Sequence, residues 1–382
     1  MVMINRPYWE NRVKSSWLKA PIVWLSGVRR CGKTTLAKML FGQDSLYLNC
    51  DLPSVGEMTA DPELFFRNCE KPVVVFDEIH QLKDPSRLLK IGADMFPELK
   101  ILATGSSTLA AGKKFRDTLT GRKRQVHLSP VLYSETPLFN KASLSRRLLH
   151  GGLPPALLAA EKDPSFYREW SDSFFSRDIQ KLFGFRDAEK FNLLFEYLMR
   201  QSGGAFDCSK TASALGISRP TINSHLAAME ITGALKIVRP FFGGGRKEMV
   251  KIPKIFGFDT GFVSFFRGWN SLRPSDNGAL WEHLALDWLA AENPGSNILY
   301  WRDKAGRELD FVIPGERDEV DVFECKWSAG EFSPDALKVF REAYPRGRNY
   351  LVCPVSASYK KREAGFEIIV RPPAGDKGDR LL

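Results

Sequence analysis

Short apolar runs bounded by polar turns dominate the first third of the chain. Residues 21–26 (PIVWLS), 73–76 (VVVF) and 99–103 (LKILA) are too short for helices and hardly alternate. Such runs predict strands buried on both faces, as in a parallel sheet covered by helices. Residues 125–128 are expected as a further strand. From 143 to about 197 the apolar and aromatic positions fall at three- and four-residue spacing, which predicts helices. SKTASALGISRPTINSHLAAM then predicts two helices, 210–215 and one from 219 or 220, broken at Gly216-Ile217-Ser218. Ser218 is a natural N-cap there, and Pro220 is tolerated in a first helical turn. Residues 235–240 and 249–252 read as strands flanking the glycine-rich stretch 241–247. In the last third a helix over 278–286 precedes strands at 297–301, 308–313 and 321–325. The expected fold class is therefore α/β. Its segments are a sheet core at 1–140, helices at 141–197, a winged helix-turn-helix at 198–270 and a second α/β domain at 271–382.

The bulk numbers narrow the function classes. A chain of 382 residues exceeds one average domain, and 43% hydrophobic with 26% charged residues excludes wholesale disorder. No apolar run is long enough to span a bilayer, and MVMINRPYWENRVKSSW has no apolar signal core. The expected location is cytoplasmic, with no membrane partner. A formal charge of +10 suits a polyanion such as nucleic acid. The six scattered cysteines show no metal-ligand spacing and are expected as buried, reduced thiols.

The stretch GVRRCGKTT, residues 27–35, contains G-x-x-x-x-G-K-[ST] between a strand and a helix, the context in which that pattern cradles phosphates. Gly27 and Gly32 let the backbone curl, so that N–H groups of the loop through Arg30 and Cys31 face phosphate oxygens. Lys33 reaches the β- and γ-phosphates, the Thr34 hydroxyl takes a place on Mg²⁺, and Thr35 packs behind near the α-phosphate. The expected cofactors are ATP and Mg²⁺. The run 73–76 ends in Asp77 and Glu78, expected to hold magnesium through water and to polarise the attacking water, respectively. Past the run 99–103, Ser106 in TGSS is expected to orient the same water; a plain turn is the alternative. Arg122, before the fourth strand, acts on a neighbouring subunit's γ-phosphate, contacts a phosphate backbone or is simply solvated.

GVRRCGKTTL, VVVFDEIHQL, ILATGSS and the GR-x(6)-SP-x(3)-E segment 121–135 together resemble AAA+-type ATPases that carry a C-terminal DUF4143 module. GGLPPALLA and the SRDI of 176–179 extend the resemblance over nearly the whole chain. It implies a P-loop AAA+-type parallel sheet core with a helical lid at 141–197, then a winged helix and a restriction-endonuclease-like domain. It assigns Asp77 and Glu78 to magnesium binding and hydrolysis. It also implies a homo-oligomer, with a hexamer among the options, because a neighbour completes each site. Arg177 is a second candidate for that trans-acting role, the alternative being an ion pair with Asp178 or Asp172.

Two further sites follow from the pattern. Arg219, Thr221, Asn223 and His225 are expected on the exposed face of a recognition helix, with Arg246 and Lys247 at the wing tip. That face contacts DNA or, alternatively, serves as a protein adaptor. Glu324-Cys325-Lys326 ends a strand; Asp310 comes from the preceding strand and Glu282 from the helix before it. Glu282, Asp310, Glu324 and Lys326 make the set of a PD-(D/E)xK-type metal nuclease, or mark that fold without its activity. The expected function is a Mg-dependent ATPase acting as a DNA-associated motor or switch. The alternatives are a regulatory ATP switch that binds protein partners and an ATP-controlled metal-dependent nuclease.

Overall fold

The short apolar runs of the first third line up side by side. In the computed structural model, which describes residues 3–40, 42–105, 118–243 and 252–374, they form β1 (Ile22–Ser26), β3 (Val73–Asp77) and β4 (Lys100–Thr104). With β2 (Ser45–Asn49) and β5 (Lys123–His127) they make a parallel sheet in the order β2-β3-β4-β1-β5. Every residue of β1 and β3 is buried, as expected of central strands covered by helices on both faces. All five strands run the same way, so the loops after β1, β3 and β4 gather at one edge, where open α/β sheets bind ligands. β5 begins at Lys123, two residues earlier than expected. As the outermost strand it has one neighbour, and its free side tolerates Lys123 and Arg124.

Helix Pro7–Trp17 lays Trp9, Val13 and Trp17, four residues apart, onto this core. Its entry is fixed by Arg6, whose buried guanidinium bonds Glu135 through Nη2 at 2.6 Å and Nε at 2.9 Å. The expected helices follow, among them Leu144–His150, Pro154–Leu158, Pro164–Phe174 and Ala188–Arg200, with a π-helical turn at Phe175–Gln180. The next pair, Cys208–Leu215 and Arg219–Thr232, turns at Gly216, and Ser218 accepts the Thr221 N–H at 3.3 Å.

The second sheet has the order β12-β13-β11-β10-β9-β8-β6-β7. Its strands are β6 (Leu235–Pro240), β7 (Lys254–Gly257), β8 (Leu299–Arg302), β9 (Glu308–Pro314), β10 (Val320–Cys325), β11 (Asn349–Val352), β12 (Tyr359–Glu363) and β13 (Phe366–Arg371). Two expectations change here. Of the strand expected over 249–252, residues 249–251 lie outside the described residues; the strand that pairs with β6 is Lys254–Gly257, beginning just after Pro253, which lacks the N–H a ladder needs. And β6 pairs in parallel with β8, so the β6–β7 hairpin extends the C-terminal sheet rather than standing apart from it. Cys69 and Cys208 are partly exposed, against the expectation that all six thiols are buried.

One buried ion network joins the segments. Arg147, fully buried, donates through Nε to the Val131 carbonyl at 2.6 Å and through Nη1 to Thr260 Oγ1 at 3.0 Å. Its Nη2 lies 3.5 Å from Asp287 Oδ2 on helix Pro274–Glu292, and Lys236 of β6 bonds the other oxygen of Asp287. A single guanidinium thus fixes the sheet core, the helical segment and the C-terminal domain to one another. Among the described residues no helix is long and apolar enough to cross a membrane.

Candidate functional site

The loop after β1 needs glycine at its first position. Gly27 has φ 151°, and a Cβ there would lie 2.5 Å from the Leu128 carbonyl oxygen. Gly32 (φ 103°) then leads into helix Lys33–Met39. The Lys33 ammonium donates to the carbonyls of Gly27 at 2.9 Å and Val28 at 3.2 Å. Arg30 holds a left-handed backbone (φ 63°), with its guanidinium 5.2 Å over the Phe166 ring. Cys31 is buried, and its carbonyl accepts from Arg6. Thr34 and Thr35 border a recess whose far side is apolar, with Ile4, Phe139, Pro154 and Leu158.

Asp77 and Glu78 arrive at the same edge. Asp77 is 3% exposed; its Oδ1 accepts the Thr104 hydroxyl at 2.5 Å and its Oδ2 accepts the Tyr47 hydroxyl at 2.6 Å. Burial, and then the Asp77 carboxylate, push the Tyr47 phenol up, so it stays a donor. Thr104 Oγ1 in turn accepts the Glu78 N–H at 3.0 Å. Glu78 is left-handed (φ 56°), a conformation costing a non-glycine residue about 1–2 kcal/mol. It turns the carboxylate out of the strand line toward the loop, with His80 Nδ1 3.3 Å from Glu78 Oε2. Gly27, Lys33, Glu78, His80, Arg177 and Thr232 share one cleft of about 430 Å³.

The two arginine candidates separate. Arg122 precedes β5, at the edge opposite the phosphate loop, and is paired with Asp94 through Nε at 2.5 Å and Nη2 at 3.0 Å. Arg177 faces the cleft of its own chain, carried there by the π-helical turn. Of the alternative ion-pair partners of Arg177, Asp178 or Asp172, Asp178 accepts instead from Arg29 Nε of the phosphate loop at 2.7 Å. Ser106 lies outside the described residues. Tyr47 lies in none of the quoted motifs, and Arg29, His80 and Thr104 lie within them without an assigned role. Only Thr104, at a strand tip beside the acids, left a trace of its role in the sequence.

On the helix pair, Arg219 and Asn223 are exposed and Thr221 is partly so. His225 is not on that face: it is 4% exposed, its ring 4.7 Å from that of Phe185 and 5.3 Å from that of Phe191. The spacing explains the correction, since 222, 225, 226 and 229 form one apolar stripe of helix Arg219–Thr232. Arg246 and Lys247 lie outside the described residues. The last residue of that helix, Thr232, borders the phosphate-loop cleft.

In the C-terminal sheet Glu282, Asp310, Glu324 and Lys326 do converge. They come from helix Pro274–Glu292, β9, the end of β10 and the residue after it. Lys326 Nζ lies 2.8 Å from Glu324 Oε1, and Asp310 Oδ2 accepts the Cys325 N–H at 2.8 Å. Lys254 of β7 joins them, bonded to Glu308, which Arg302 also approaches at 3.7 Å. Burial, reinforced by the Asp310 charge, pushes the Glu282 and Glu324 carboxyls up to about 8. A hard divalent cation asks for several ionised oxygens. Here the Lys254 ammonium, which the nuclease set does not include, stands among the acids beside Glu308. Among the described residues no group of three or more His, Cys, Asp or Glu is arranged to hold a metal. These residues do not fit the metal of a nuclease.

Comparison with known proteins divides the chain three ways. Residues 19–136 match the model of an AAA domain family, 141–273 a domain of unknown function (DUF8612) and 277–372 a domain of unknown function (DUF4143). Uncharacterized proteins of Mycobacterium tuberculosis and Mycobacterium bovis are each 26% identical over 324 residues, 82% of this chain and 72% of theirs. Among solved structures, the Walker-type ATPase PABY2304 of Pyrococcus abyssi aligns at 15% identity and a TM-score of 0.44, over 69% of this chain and 96% of that one. The Holliday junction branch migration motor RuvB of Thermotoga maritima aligns at 16% identity and a TM-score of 0.31, over 61% and 89%. Neither likeness is close enough to say what this chain does. The chain joins a segment matching an AAA domain, folded as a parallel P-loop sheet, to a C-terminal segment matching DUF4143.

Proposed function

We propose that this protein hydrolyses ATP and uses the cycle as a DNA-associated switch or motor. The observation that carries the hydrolytic part is the shared cleft, in which Glu78, just past the end of β3, lines the same space as the phosphate loop and Lys33. Lys33 exchanges its two carbonyl partners for phosphate oxygens, and Arg177 adds a second positive charge from the same chain. Magnesium, bound with the nucleotide, neutralises charge on the phosphates; Thr34 and Asp77 would hold it. Asp77 suits this role because two hydroxyls fix both its oxygens in place. Glu78 accepts a hydrogen bond from the attacking water and polarises it. The apolar recess beside Thr34 and Thr35 suits the flat face of a nucleobase.

The DNA part rests on the charge of +10 and on the exposed Arg219 and Asn223 of the helix pair. A switch is favoured because that helix ends, at Thr232, in the wall of the phosphate cleft. Phosphates entering the cleft press on the base of the helix whose other end carries Arg219. The test is ATP turnover and DNA binding measured together. Turnover should rise with duplex or forked DNA, and binding should weaken steeply with salt. Turnover indifferent to every DNA form, with no salt-dependent binding, would overturn the DNA reading and leave the ATPase standing.

A further inference from the structure

We propose that Lys254 is the resident cation of the acidic cluster in the C-terminal sheet, standing in for a divalent metal. Four carboxylates meet there: Glu282, Glu308, Asp310 and Glu324. Lys254 comes from β7, outside the helix and strands that carry Glu282, Asp310 and Glu324. It is 6% exposed, bonded to Glu308 and drawn by Glu282 and Asp310, with its ammonium 5.5 Å from the Tyr300 ring centroid.

A buried ammonium survives only among compensating charges, because it gives up its hydration on leaving water. The reverse holds for the acids, which need a positive charge in their midst. Lys326 bonds Glu324 through Oε1 and also draws Asp310, while Glu324 Oε2 is buried and has no hydrogen-bond partner among the described residues. Lys254 is thus the main charge on the Glu282 and Glu308 side and shares Asp310 with Lys326. It is also a compact point charge with three donors, the side chain best able to replace a small metal ion. Because β7 belongs to the hairpin that follows the helix pair, this cation also ties that hairpin to the C-terminal domain.

The test is Mn²⁺ binding by the nucleotide-free full chain, followed by electron paramagnetic resonance, with D310N as the reference that isolates this cluster. Wild type and K254R should show no Mn²⁺ uptake that D310N removes. K254M, which opens the position and removes the competing charge, should bind Mn²⁺ about tenfold or more tighter than wild type. The K254M/D310N double variant should lose that gain. Asp310-dependent Mn²⁺ binding by wild type overturns the proposal, as does a K254M chain that melts cooperatively yet gains none. Should K254M fail to fold, wild type against D310N still decides: uptake that D310N removes overturns the proposal, and its absence upholds it.

Discussion

Arg29, in the middle of the phosphate loop, donates its Nε–H to Asp178 Oδ2 at 2.7 Å, across 149 positions of sequence. The bond joins the loop after β1 to the π-helical turn that presents Arg177, and both partners stay partly exposed. Asp178 therefore sets an acid beside a cleft meant for phosphates and neutralises one of its cations. D178N should free Arg29 for the nucleotide and tighten ATP binding about two- to fivefold, the scale of one exposed charge contact. Stability should move by less than about 1 kcal/mol. Titration with a fluorescent ATP analogue checks the first and urea melts the second; weaker binding would show that Asp178 positions the lid rather than competing for charge.

Glu78 and Thr104 should fail in different ways. E78Q keeps its backbone contact to Thr104 and should bind ATP normally while turnover drops by about 10²-fold or more. T104V removes the hydroxyl that serves both Asp77 and Glu78, leaving a buried carboxylate oxygen short of a partner at a cost of about 1–3 kcal/mol. Its turnover should fall together with its stability. Steady-state phosphate release beside a denaturant melt separates the two cases.

Gly27 tests the loop itself. A methyl group at 2.5 Å from the Leu128 carbonyl forces β1 and the chain after β5 apart. G27A should lower the melting temperature and abolish nucleotide binding. Gly42, also left-handed but with open space around its Cβ position, is the control: G42A should cost stability alone.

Arg147 should be among the most costly side chains to remove. R147M strips a fully buried cation from Asp287 and strands the Val131 carbonyl. A loss of about 3–5 kcal/mol is expected, read from equilibrium urea unfolding. A loss below about 1 kcal/mol would mean that the network is replaceable by packing.

His283 predicts an acid limit. Its ring is 3% exposed, with Nε2 2.7 Å from Ser202 Oγ and Nδ1 2.9 Å from the Ala279 carbonyl. Burial pushes the imidazole down to about 4 from 6.5, only partly offset by that carbonyl. The unfolded chain then binds more protons than the folded one between these values. The stability His283 contributes is complete above pH 6.5 and is lost as pH falls toward 4. H283Q should flatten that part of the melting curve against pH.

Much of the fold was legible because it depends on local pattern. The runs 21–26 and 73–76 became β1 and β3, and the break at Gly216 and the cap at Ser218 fell as read. Where side-chain spacing was left out of account, reading failed: His225 was placed outward although 222, 226 and 229 put it on the buried stripe. β7 at Lys254–Gly257 was not read, because its pairing partner, β6, lies across a long connection.

By itself the sequence determined the phosphate loop, the two acids at the end of β3 and the residues that supply the C-terminal carboxylates. Each depends on neighbours within a few positions, where chain geometry leaves little choice. Only the tertiary structure decided which charges meet: Arg29 with Asp178, Arg122 with Asp94, Lys254 among Glu282, Glu308 and Asp310. Such pairs join residues far apart in sequence, and pairing is settled by which backbone segments pack together. A lysine before an apolar strand looks the same in sequence whether it ends in water or in an acidic cluster.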